Sequence, residues 1–516
     1  MRKALFCLFS SVLAFSVLTS CSSNTLTSNQ LNPPPEGNVP VSLTITDDPP
    51  QGVSVLFFQV NLTAASLQPA SGSAVSLINN PIPIDVTQLQ ALSAFLNTAN
   101  VPAGTYNSLS LAFANPQMVI YNASDTALSA TCAVGTVCQL TPTLDNSATI
   151  NITSAPLPVT VAANTPLGFL IDFHLNTIIQ SDMSVNLSAT SGITLAQLPP
   201  FSASQPPQFG LVTGTVESAT PSSNQFTMQT GDGRTFTIDS NSTTMYSGFP
   251  CASPVQTISC VAAGQSVQVQ VASVQSDGTL LGGQVTYLQA SGQQTVVGTI
   301  VAIPPLPTPA GETIVEMILH QSPTASSSLP LGGLAWVAVW SPGSGSQNTT
   351  TYSIDSNGFT IPSGLSFASN NDLGVGETVQ ATVVPGTLQA VTGTGIQSGL
   401  WGPPAQLSFT ASNLQLEPSQ ITGVIANIGT AGNFTLGVTP SIFGGASPTF
   451  QAQAIVETTS QTTYQGFGTG GFSGLATGES VSVNGWLFPQ NGLLDPAIGP
   501  PIILAQTVTL HSGGTF

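Results

Sequence analysis

The residues best suited to acid–base chemistry in this chain are three histidines and a few aspartates. The histidines are His174, His320 and His511, and His174 lies two residues from Asp172 on the same face of a predicted strand. A histidine and a carboxylate so placed could hold a metal ion or transfer a proton. They could equally make a structural contact on a sheet, which is the interpretation we adopt.

Other acids offer two further kinds of chemistry. Asp47 and Asp48 precede Pro49 and could present carboxylates to Ca²⁺, although aspartates at such positions more often cap turns. A hydrolase with paired carboxylates would use Asp172 together with Asp85 or Asp47, provided that both acids face one cleft. The sequence contains no G-x-S-x-G, H-E-x-x-H or phosphate-loop motif. It therefore predicts no enzyme, cofactor or metal site, and the carboxylate hydrolase is the alternative.

Four of the six cysteines form two close pairs, within "CAVGTVC" and "CASPVQTISC". Four cysteines allow three connectivities, and the short loops favour local disulfides, Cys132 with Cys138 and Cys251 with Cys260. Export to an oxidising compartment would permit these bonds. A metal site is the alternative, but neither pair has C-x-x-C spacing and no histidine lies nearby in the sequence.

The N-terminus has the features of an export signal. Two basic residues precede an apolar segment at 4–17, which is shorter than the roughly 20 residues that span a bilayer. The sequence "LTSC" that ends at Cys21 resembles a bacterial lipobox, in which the chain is cut before the cysteine and the thiol carries diacylglycerol. By this resemblance residues 1–20 are a signal peptide and Cys21 is lipidated. Ser22 at the next position favours the outer membrane.

Charge and composition exclude some classes of partner. Residues 21–40 are rich in Ser, Asn and Pro and predict a flexible tether. Only 5% of the residues are charged, against about a quarter in ordinary domains. Beyond the signal, Arg234 is the one Lys or Arg in a chain with 21 acidic residues. Nucleic-acid binders need a basic surface, so this class is excluded, as is charge-driven adhesion to anionic lipid.

Alternation of apolar and polar residues predicts β-strands along most of the chain. Residues 41–197 form a first unit, with strands such as "VSLTIT" and "LPVTVAA" separated by turn residues. The exception is the segment 86–99, for which we predict one or two helical turns. There, four apolar residues share a helix face: Leu89, Leu92, Phe95 and Leu96.

The first unit also carries motifs in a fixed order: "TITDDPP" after the opening strand, "IDVTQLQALSAFLNTANVPAGTYNSLSLAF", and "LIDFHLN". In these motifs the unit resembles domain of unknown function 4382, a family of bacterial lipoprotein domains. The resemblance implies a β-sandwich-like domain in an exported lipoprotein, and it implies no particular chemistry. The family pattern often has an acid at the position of His174, which supports a structural role for that histidine.

A Pro- and Ser-rich linker at 198–209 leads into an internal repeat. Each copy opens with a hydrophobic-x-Gly strand ("VTGTV", "VVGTI", "ITGVI") and later carries a Gly-x-x-Val strand ("AAGQSVQVQV", "GVGETVQATV", "ATGESVSVNG"). The copies predict three small barrel modules at 210–292, 294–419 and 420–516, arranged as beads. They resemble domain of unknown function 5666, which has an OB-like strand pattern. The predicted fold class is therefore all-β: a β-sandwich-like domain followed by three OB-like β-barrels.

The predicted function is that of a lipid-anchored cell-envelope protein, a non-enzymatic binding or structural module. Its predicted partners are a membrane, through the lipid on Cys21, and an envelope glycan or protein. Tryptophans could offer platforms to sugar rings, although most tryptophans pack in cores. The candidates are Trp336, Trp340, Trp401 and Trp486.

Overall fold

Strands account for nearly all of the regular structure. The computed structural model describes residues 38–48, 54–89, 93–122, 126–130, 132–134, 136–144, 148–180, 182–198, 209–251, 255–290, 293–304, 308–321, 332–342, 349–356, 358–391, 407–430, 432–438, 452–467, 470–489 and 500–510. Within these ranges there are thirty strands, one four-residue helix, α1 (Leu175–Ile178), and several short 3₁₀ turns. The predicted all-β fold class is confirmed.

The N-terminal domain has eleven strands in two sheets. They are β1 (Asn38–Asp48), β2 (Ser54–Pro69), β3 (Val75–Ser76), β4 (Ile82–Asp85), β5 (Ala94–Pro102), β6 (Gly104–Tyr121), β7 (Val137–Leu140), β8 (Thr149–Ile152), β9 (Val159–Val161), β10 (Leu167–His174) and β11 (Ile193–Leu198). In one sheet, β1 lies between a parallel β10 and an antiparallel β5. In the other, the long pair β2–β6 carries the remaining short strands.

One hydrophobic core lies between these two sheets. It takes Leu43 and Phe169 from the sheet of β1, and Phe58 and Leu111 from the sheet of β2. Consecutive side chains in a strand point to opposite faces, so each sheet turns one apolar face to the other. The domain is a two-layer sandwich.

The helical turns predicted at 86–99 are wrong for the second half of that segment. Val86–Leu89 is a 3₁₀ turn, but Ala94–Pro102 is strand β5, and Leu92 lies outside the described residues. Phe95 packs into the core of the first barrel, whereas Leu96 packs into the core of the N-terminal domain. Phe95 and Leu96 thus pack into two different cores on opposite faces of one strand. Because both faces are apolar, the apolar residues of this segment have a spacing that resembles that of a helix.

Three barrels follow, each with the same strand order. Barrel 1 has β12 (Leu211–Thr220), β13 (Gln225–Gln229), β14 (Thr235–Asp239), β15 (Met245–Ser247), β16 (Ser266–Val274) and β17 (Leu280–Gln289). Barrel 2 has β18 (Thr295–Ala302), β19 (Glu312–Gln321), β20 (Leu334–Trp340), β21 (Thr351–Ile354), β22 (Thr378–Val383), β23 (Gln389–Ala390) and β24 (Leu407–Glu417). Barrel 3 has β25 (Ser419–Ile428), β26 (Asn433–Val438), β27 (Ala452–Glu457), β28 (Thr463–Gln465), β29 (Ser480–Phe488) and β30 (Ile502–Leu510).

The strand pairing in each barrel returns to its starting strand. In barrel 3, β25 pairs with β26, β26 with β27, β27 in parallel with β30, β30 with β29, and β29 again with β25. Barrel 1 and barrel 2 close in the same way. Closure of five strands leaves few free sheet edges and is compatible with the predicted OB-like pattern.

The hydrophobic-x-Gly motif of the repeat has a steric cause. A Cβ atom at the motif glycine would collide with a carbonyl oxygen on the second strand of the same barrel. The three glycine–oxygen pairs are Gly214 with Gln229, Gly298 with Ile318, and Gly423 with Gly437. Glycine therefore permits the close approach of the first two strands in every copy.

The Gly-x-x-Val motif forms a second repeated contact. Gly376 has a φ of 93°, which glycine adopts without steric cost. Its N–H donates to the oxygen of Ile300 (2.7 Å), and the N–H of Ile300 donates to the oxygen of Glu377 (2.9 Å). The same exchange occurs at Gly264 in barrel 1 and at Gly478 in barrel 3. The three modules thus share one local architecture.

The barrels and the N-terminal domain touch one another, although each has its own core. The N–H of Leu211 donates to the oxygen of Ser93 (2.7 Å), and β12 thereby extends the sheet of β5 into barrel 1. Trp486 and Phe488 of barrel 3 pack into the core of barrel 2. Residues 36–516 form one compact unit, so the beads expected from the repeat are in contact.

The predicted signal, Cys21 and most of the tether and linker lie outside the described residues. Strand β1 begins at Asn38, within the segment predicted as tether. In the ranges that the structure describes, no helix has the length and apolar character needed to cross a bilayer.

We expect Gly423→Ala to lower the free energy of unfolding by about 1–3 kcal/mol, the usual cost of overpacking, because its Cβ would collide with the oxygen of Gly437. Gly437→Ala is the matched control, since a Cβ there would lie 3.5 Å from the oxygen of Val424, an ordinary contact. Urea unfolding followed by circular dichroism measures both. Equal destabilisation by the two variants would contradict the steric explanation.

Candidate functional site

Asp85, His320 and Thr299 form a hydrogen-bonded row between the N-terminal domain and barrel 2. His320 Nδ1 lies 3.0 Å from Asp85 Oδ2, and His320 Nε2 lies 2.8 Å from Thr299 Oγ1. The side chains of His320 and Asp85 are 1% and 9% exposed. Asp85 Oδ1 accepts hydrogen bonds from the N–H (3.2 Å) and the hydroxyl of Thr87. Both carboxylate oxygens and both ring nitrogens therefore have partners.

Strand alternation places these side chains. In β19 the odd-numbered residues Val315, Met317 and Leu319 face the core of barrel 2. The even-numbered residues, His320 among them, must then face outward, where the N-terminal domain covers them. Asp85 is the last residue of β4 and precedes a 3₁₀ turn, so its side chain can both cap that turn and reach the barrel.

A small apolar cluster surrounds the row. Phe57 lies with its ring centroid 6.1 Å from that of His320. Residues of the N-terminal domain and of barrel 2 meet here: Phe57, Val119, Tyr121 and Val137 on one side, and Val301, Ile318 and Leu334 on the other. We call this cluster, together with Asp85, His320 and Thr299, the joint. Its apolar walls keep water from the polar row.

The joint has the connectivity of a hydroxyl–imidazole–carboxylate triad, which hydrolases use to activate a nucleophile. Catalysis also needs free N–H donors for the developing negative charge. Thr299 lies inside β18, between β19 and β22, where it is paired with Ile318 and Thr378 in the two ladders. This placement suits a hydroxyl that orients His320 towards Asp85 better than one that attacks a substrate.

The histidine and aspartate that the sequence predicts on one strand face, His174 and Asp172, do lie close together. His174 Nε2 lies 3.8 Å from Asp172 Oδ2, with side chains 24% and 30% exposed, and 3.2 Å from Thr194 Oγ1. The backbone of Asp48 lies opposite His174 in the β1–β10 ladder, but the side chains of Asp47 and Asp48 are outside the description. Among the described residues no group of three or more His, Cys, Asp or Glu could hold a metal ion.

Of the three aspartates proposed as hydrolase carboxylates, Asp85 and Asp172 have different surroundings, and the side chain of Asp47 lies outside the described residues. Asp85 belongs to the sheet of β2 and contacts His320, whereas Asp172 belongs to the sheet of β1 and contacts His174. A hydrolase with paired carboxylates needs both acids at one cleft, about 5–9.5 Å apart. Each of these two aspartates lies beside a histidine, and each histidine belongs to a different contact.

Arg234 fastens barrel 1 to the N-terminal domain. Its Nε donates to Asp232 Oδ2 (2.7 Å), and its Nη1 donates to the carbonyl oxygen of Leu96. The guanidinium carbon lies 5.6 Å from the ring centroid of Phe236, a cation–π distance. The stretch "GDGR" at 231–234 is typical of a hairpin turn, and the sequence did not predict this inter-domain contact.

The two close pairs of cysteines form disulfide bonds. Cys132 is bonded to Cys138 and Cys251 to Cys260, which agrees with the local pairing predicted.

Trp486 is fully buried, packs on Phe359 with ring centroids 5.2 Å apart, and donates its indole N–H to the oxygen of Asp355 (2.9 Å). It is therefore a core residue and cannot be a sugar platform. Trp336 and Trp340 are half-buried, and Trp401 lies outside the described residues.

The sequence did not single out three glutamates with raised pKa values: Glu316 and Glu377, which are buried, and Glu417, which is half-buried. Burial raises the pKa of Glu316, on the outer face of β19, to about 7. Burial also raises the pKa of Glu377 well above its usual value, against the lowering effect of a hydrogen bond from the N–H of Gly374. The pKa of Glu417 is raised by burial and by the nearby charge of Asp355. These carboxyl groups favour the neutral form.

An uncharged polar surface lies on the outside of barrel 1. Thr213, Gln268, Thr286 and Ser247 stand side by side on β12, β16, β17 and β15. Gln268 Nε2 donates to Thr213 Oγ1 (3.5 Å), and Ser247 Oγ donates to Thr286 Oγ1 (3.1 Å). Gln284 Nε2 donates to Thr286 Oγ1 (3.3 Å). We call these five residues the polar face.

The polar face has counterparts in the other barrels. The equivalent row in barrel 3 is Thr422, Ser482, Thr509 and Gln465. In barrel 2 the position of Gln268 is taken by Gln380, which is buried and donates from Nε2 to the oxygen of Leu288 in barrel 1 (3.1 Å). The outer face of barrel 2 is thus covered by other parts of the chain.

These features define a class of protein: an all-β chain in which a sandwich domain precedes three closed barrels. Residues 38–195 match the family model described as Domain of unknown function (DUF4382). The resemblance found in the motifs of the N-terminal domain is thereby confirmed for that domain. No curated protein sequence matches the chain. The resemblance of the barrels to domain of unknown function 5666 stays a prediction.

We expect Glu377→Gln to gain stability relative to the parent as the pH rises. The pKa of Glu377 in the folded chain is well above the value of 4.5, so its favourable contribution is complete below the unfolded pKa and is lost as the pH rises through the folded pKa. A glutamine cannot ionise. Thermal unfolding midpoints between about pH 5 and 9 measure the difference.

The repeat supplies a natural precedent and a control for this variant. Barrel 1 has Gln265 at the equivalent position, where Oε1 accepts from the N–H of Ala262 (2.7 Å), so an amide fits. Glu479 of barrel 3 accepts from the N–H of Ala476 (2.7 Å) but is half-buried. Glu479→Gln is the comparison variant, and an equal pH-dependent gain of stability in both variants would refute the role of burial.

Proposed function

We propose that this chain is a lipid-anchored protein of the cell envelope that binds a neutral glycan and has no enzymatic activity. The observation that carries the proposal is the polar face of barrel 1. It offers hydroxyl and amide groups on four adjacent strands and no charged side chain.

The chemistry of the polar face matches that of a neutral glycan. Sugar hydroxyls both donate and accept hydrogen bonds, as do the Ser, Thr and Gln side chains of the face. Neighbouring strands lie about 4.8 Å apart, so the face is a regular array of such groups. A charged polymer would find no opposite charge there.

The accessible surroundings of the polar face support binding. Its residues Thr213, Gln268 and Gln284 are half-buried, not sealed. Met245 lies opposite Gln284 in the β15–β17 ladder and is 62% exposed. A thioether side chain at the rim of a polar surface can pack against the apolar C–H face of a sugar ring.

Export and anchoring are supported by other features. The sequence ending at Cys21 resembles a lipobox. The N-terminal domain matches the DUF4382 family model, and the resemblance of its motifs to that family implies an exported bacterial lipoprotein. Two disulfides are typical of proteins that reach an oxidising compartment. Several acyl chains on one cysteine would make attachment durable, since each buried methylene contributes roughly 0.8 kcal/mol.

We expect Thr213→Val and Gln268→Met each to weaken binding of a neutral polysaccharide, such as dextran or a cello-oligosaccharide, by about fivefold for each hydrogen bond lost. Isothermal titration with the purified chain measures the change. The control is Thr235→Val, an exposed threonine on β14 outside the polar face.

Three outcomes would overturn the glycan assignment. Binding could be unaffected by both polar-face variants, the chain could bind anionic but not neutral polysaccharides, or it could capture only protein from envelope fractions. The last result would identify a protein partner in place of a glycan.

We expect Cys21→Ala to release the protein from membranes and to abolish incorporation of labelled fatty acid, because the thiol is the predicted attachment point. Cys7→Ala, within the same predicted signal, should leave both unchanged. Membrane pelleting of the Cys21→Ala protein without label would sink the anchoring proposal while leaving glycan binding to be judged by its own test.

A further inference from the structure

We propose that barrel 2 carries a second binding site, which takes an extended segment of another protein with two arginines four residues apart. The site consists of two acid–tryptophan pairs on neighbouring strands, Glu316 with Trp336 and Glu312 with Trp340. We call these four residues the tryptophan face. The inference concerns a different barrel and a different ligand from the glycan proposal, and it does not rest on that proposal.

The tryptophan face begins where the joint ends. The N-terminal domain covers the outer face of barrel 2 at His320, and barrel 1 covers it at Gln380. Along β19 and β20 the same face continues beyond Glu316. The side chains there are half-buried and not sealed: Glu312, Ile314, Trp336, Ala338 and Trp340. This end of the face is therefore accessible to an external ligand.

Strand pairing brings each acid next to a tryptophan. Glu316 lies directly opposite Trp336 in the β19–β20 ladder, and Glu312 lies opposite Trp340. Cβ atoms in such antiparallel pairs are about 4.5–5.5 Å apart. The odd-numbered residues of both strands face the core of barrel 2, so the even-numbered residues share the outer face. Each carboxyl group therefore lies beside an indole ring.

The side chain of Glu316 is buried but has no partner. It is only 4% exposed, and its carboxyl group makes no hydrogen bond or ion pair with any residue that the structure describes. Burial of an acid without a compensating hydrogen bond is costly, and this burial raises the pKa of Glu316 to about 7. A ligand that brings N–H donors and a positive charge would remove the cost.

The positive charge for this site must come from another kind of molecule. The chain has three Lys or Arg residues, and Arg2 and Lys3 belong to the predicted signal. Arg234 is already bound where barrel 1 meets the N-terminal domain. A second copy of the chain has the same shortage, so it cannot supply the charge either. The 21 acidic residues of the chain attract cationic partners.

Arginine fits an acid–tryptophan pair better than other cations do. Its planar guanidinium donates a fork of N–H groups to a carboxylate and stacks on aromatic rings, among which tryptophan binds cations best. The chain already contains such an arrangement. Arg234 Nε donates to Asp232 Oδ2 (2.7 Å), and its guanidinium carbon lies 5.6 Å from the ring centroid of Phe236. A neutral sugar would bring no charge, so we assign the face to a peptide.

The spacing of the two pairs sets the spacing of the arginines. Four residues separate the two glutamates along β19 and the two tryptophans along β20, which corresponds to about 13 Å. In an extended partner segment, residues four apart lie on one side of the chain at the same separation. Ile314 and Ala338 lie between the pairs, so an apolar side chain midway between the arginines would pack there.

The test is isothermal titration of the purified full chain with a synthetic heptapeptide. The peptide has arginine at its second and sixth positions, valine midway between them, and serine or threonine elsewhere. A second peptide has its arginines at the second and fifth positions, which point to opposite sides of an extended segment at equal net charge. It should bind about tenfold more weakly, because one arginine loses its carboxylate. Citrulline in place of both arginines should abolish binding.

Variants of the tryptophan face locate the peptide. Glu316→Gln and Glu312→Gln should each weaken peptide binding by about tenfold, the effect of losing a charged hydrogen bond. Trp340→Leu should weaken it by about two- to fivefold through loss of a cation–π contact. The matched control is Glu457→Gln, a half-buried glutamate in barrel 3 that lies opposite Asn433 and not opposite a tryptophan. This control should leave binding unchanged.

Several results would overturn the assignment. Absence of peptide binding would do so, and equal affinity for the two arginine spacings would mean that an acidic chain attracts cations without a defined site. If Glu316→Gln binds as the parent does, the buried acid is not part of the site and the proposal fails. If Trp340→Leu weakens binding of dextran and not of the peptide, the tryptophans serve a sugar. Should Trp340→Leu fold poorly by circular dichroism, the two glutamine variants decide.

Discussion

Scarcity of positive charge is the constraint on which the rest of this structure depends. Among the described residues three side chains can carry a positive charge, Arg234, His174 and His320, and each lies beside an aspartate. Two of these three lie where the N-terminal domain meets a barrel. Elsewhere acids accept hydrogen bonds from backbone N–H groups, as Asp182 and Asp277 do, or from side-chain amides and hydroxyls, as Asp239 does, and burial raises the pKa of Glu316 and Glu377. Apolar packing and hydrogen bonds between uncharged groups therefore supply most of the contacts within the units.

Much of the fold could be predicted because its signals are local. Alternation of side chains gave the strands, and the repeated glycines marked the same steric contacts in all three barrels. The joint could not be predicted, because it joins residues 235 positions apart. Along β19, Glu316 and His320 occupy the positions that alternation assigns to solvent. Ile318 between them, and the two-sided apolar pattern of β2 at Phe57, were the available signals that this face is covered.

The outer face of the sheet has different surroundings in barrels 1 and 2. In barrel 2 the outer face of the sheet carries His320 and Gln380, which hydrogen-bond Asp85 of the N-terminal domain and the oxygen of Leu288 of barrel 1. In barrel 1 the equivalent surface is the polar face, which remains partly accessible. The repeated module thus presents the same polar surface in two settings, covered by the chain itself in barrel 2 and partly accessible in barrel 1. Threonine and glutamine suit both, since their hydrogen bonds do not depend on a counter-charge.

Strand β1 has a mechanical consequence. It is hydrogen-bonded along both sides, to β10 and to β5, over most of its length. Tension applied at Asn38 acts along the strand axis, so it shears both ladders at once and does not peel the hydrogen bonds apart one after another. A pulling force on the N-terminus would therefore load this strand first, and its release would require both ladders to break together.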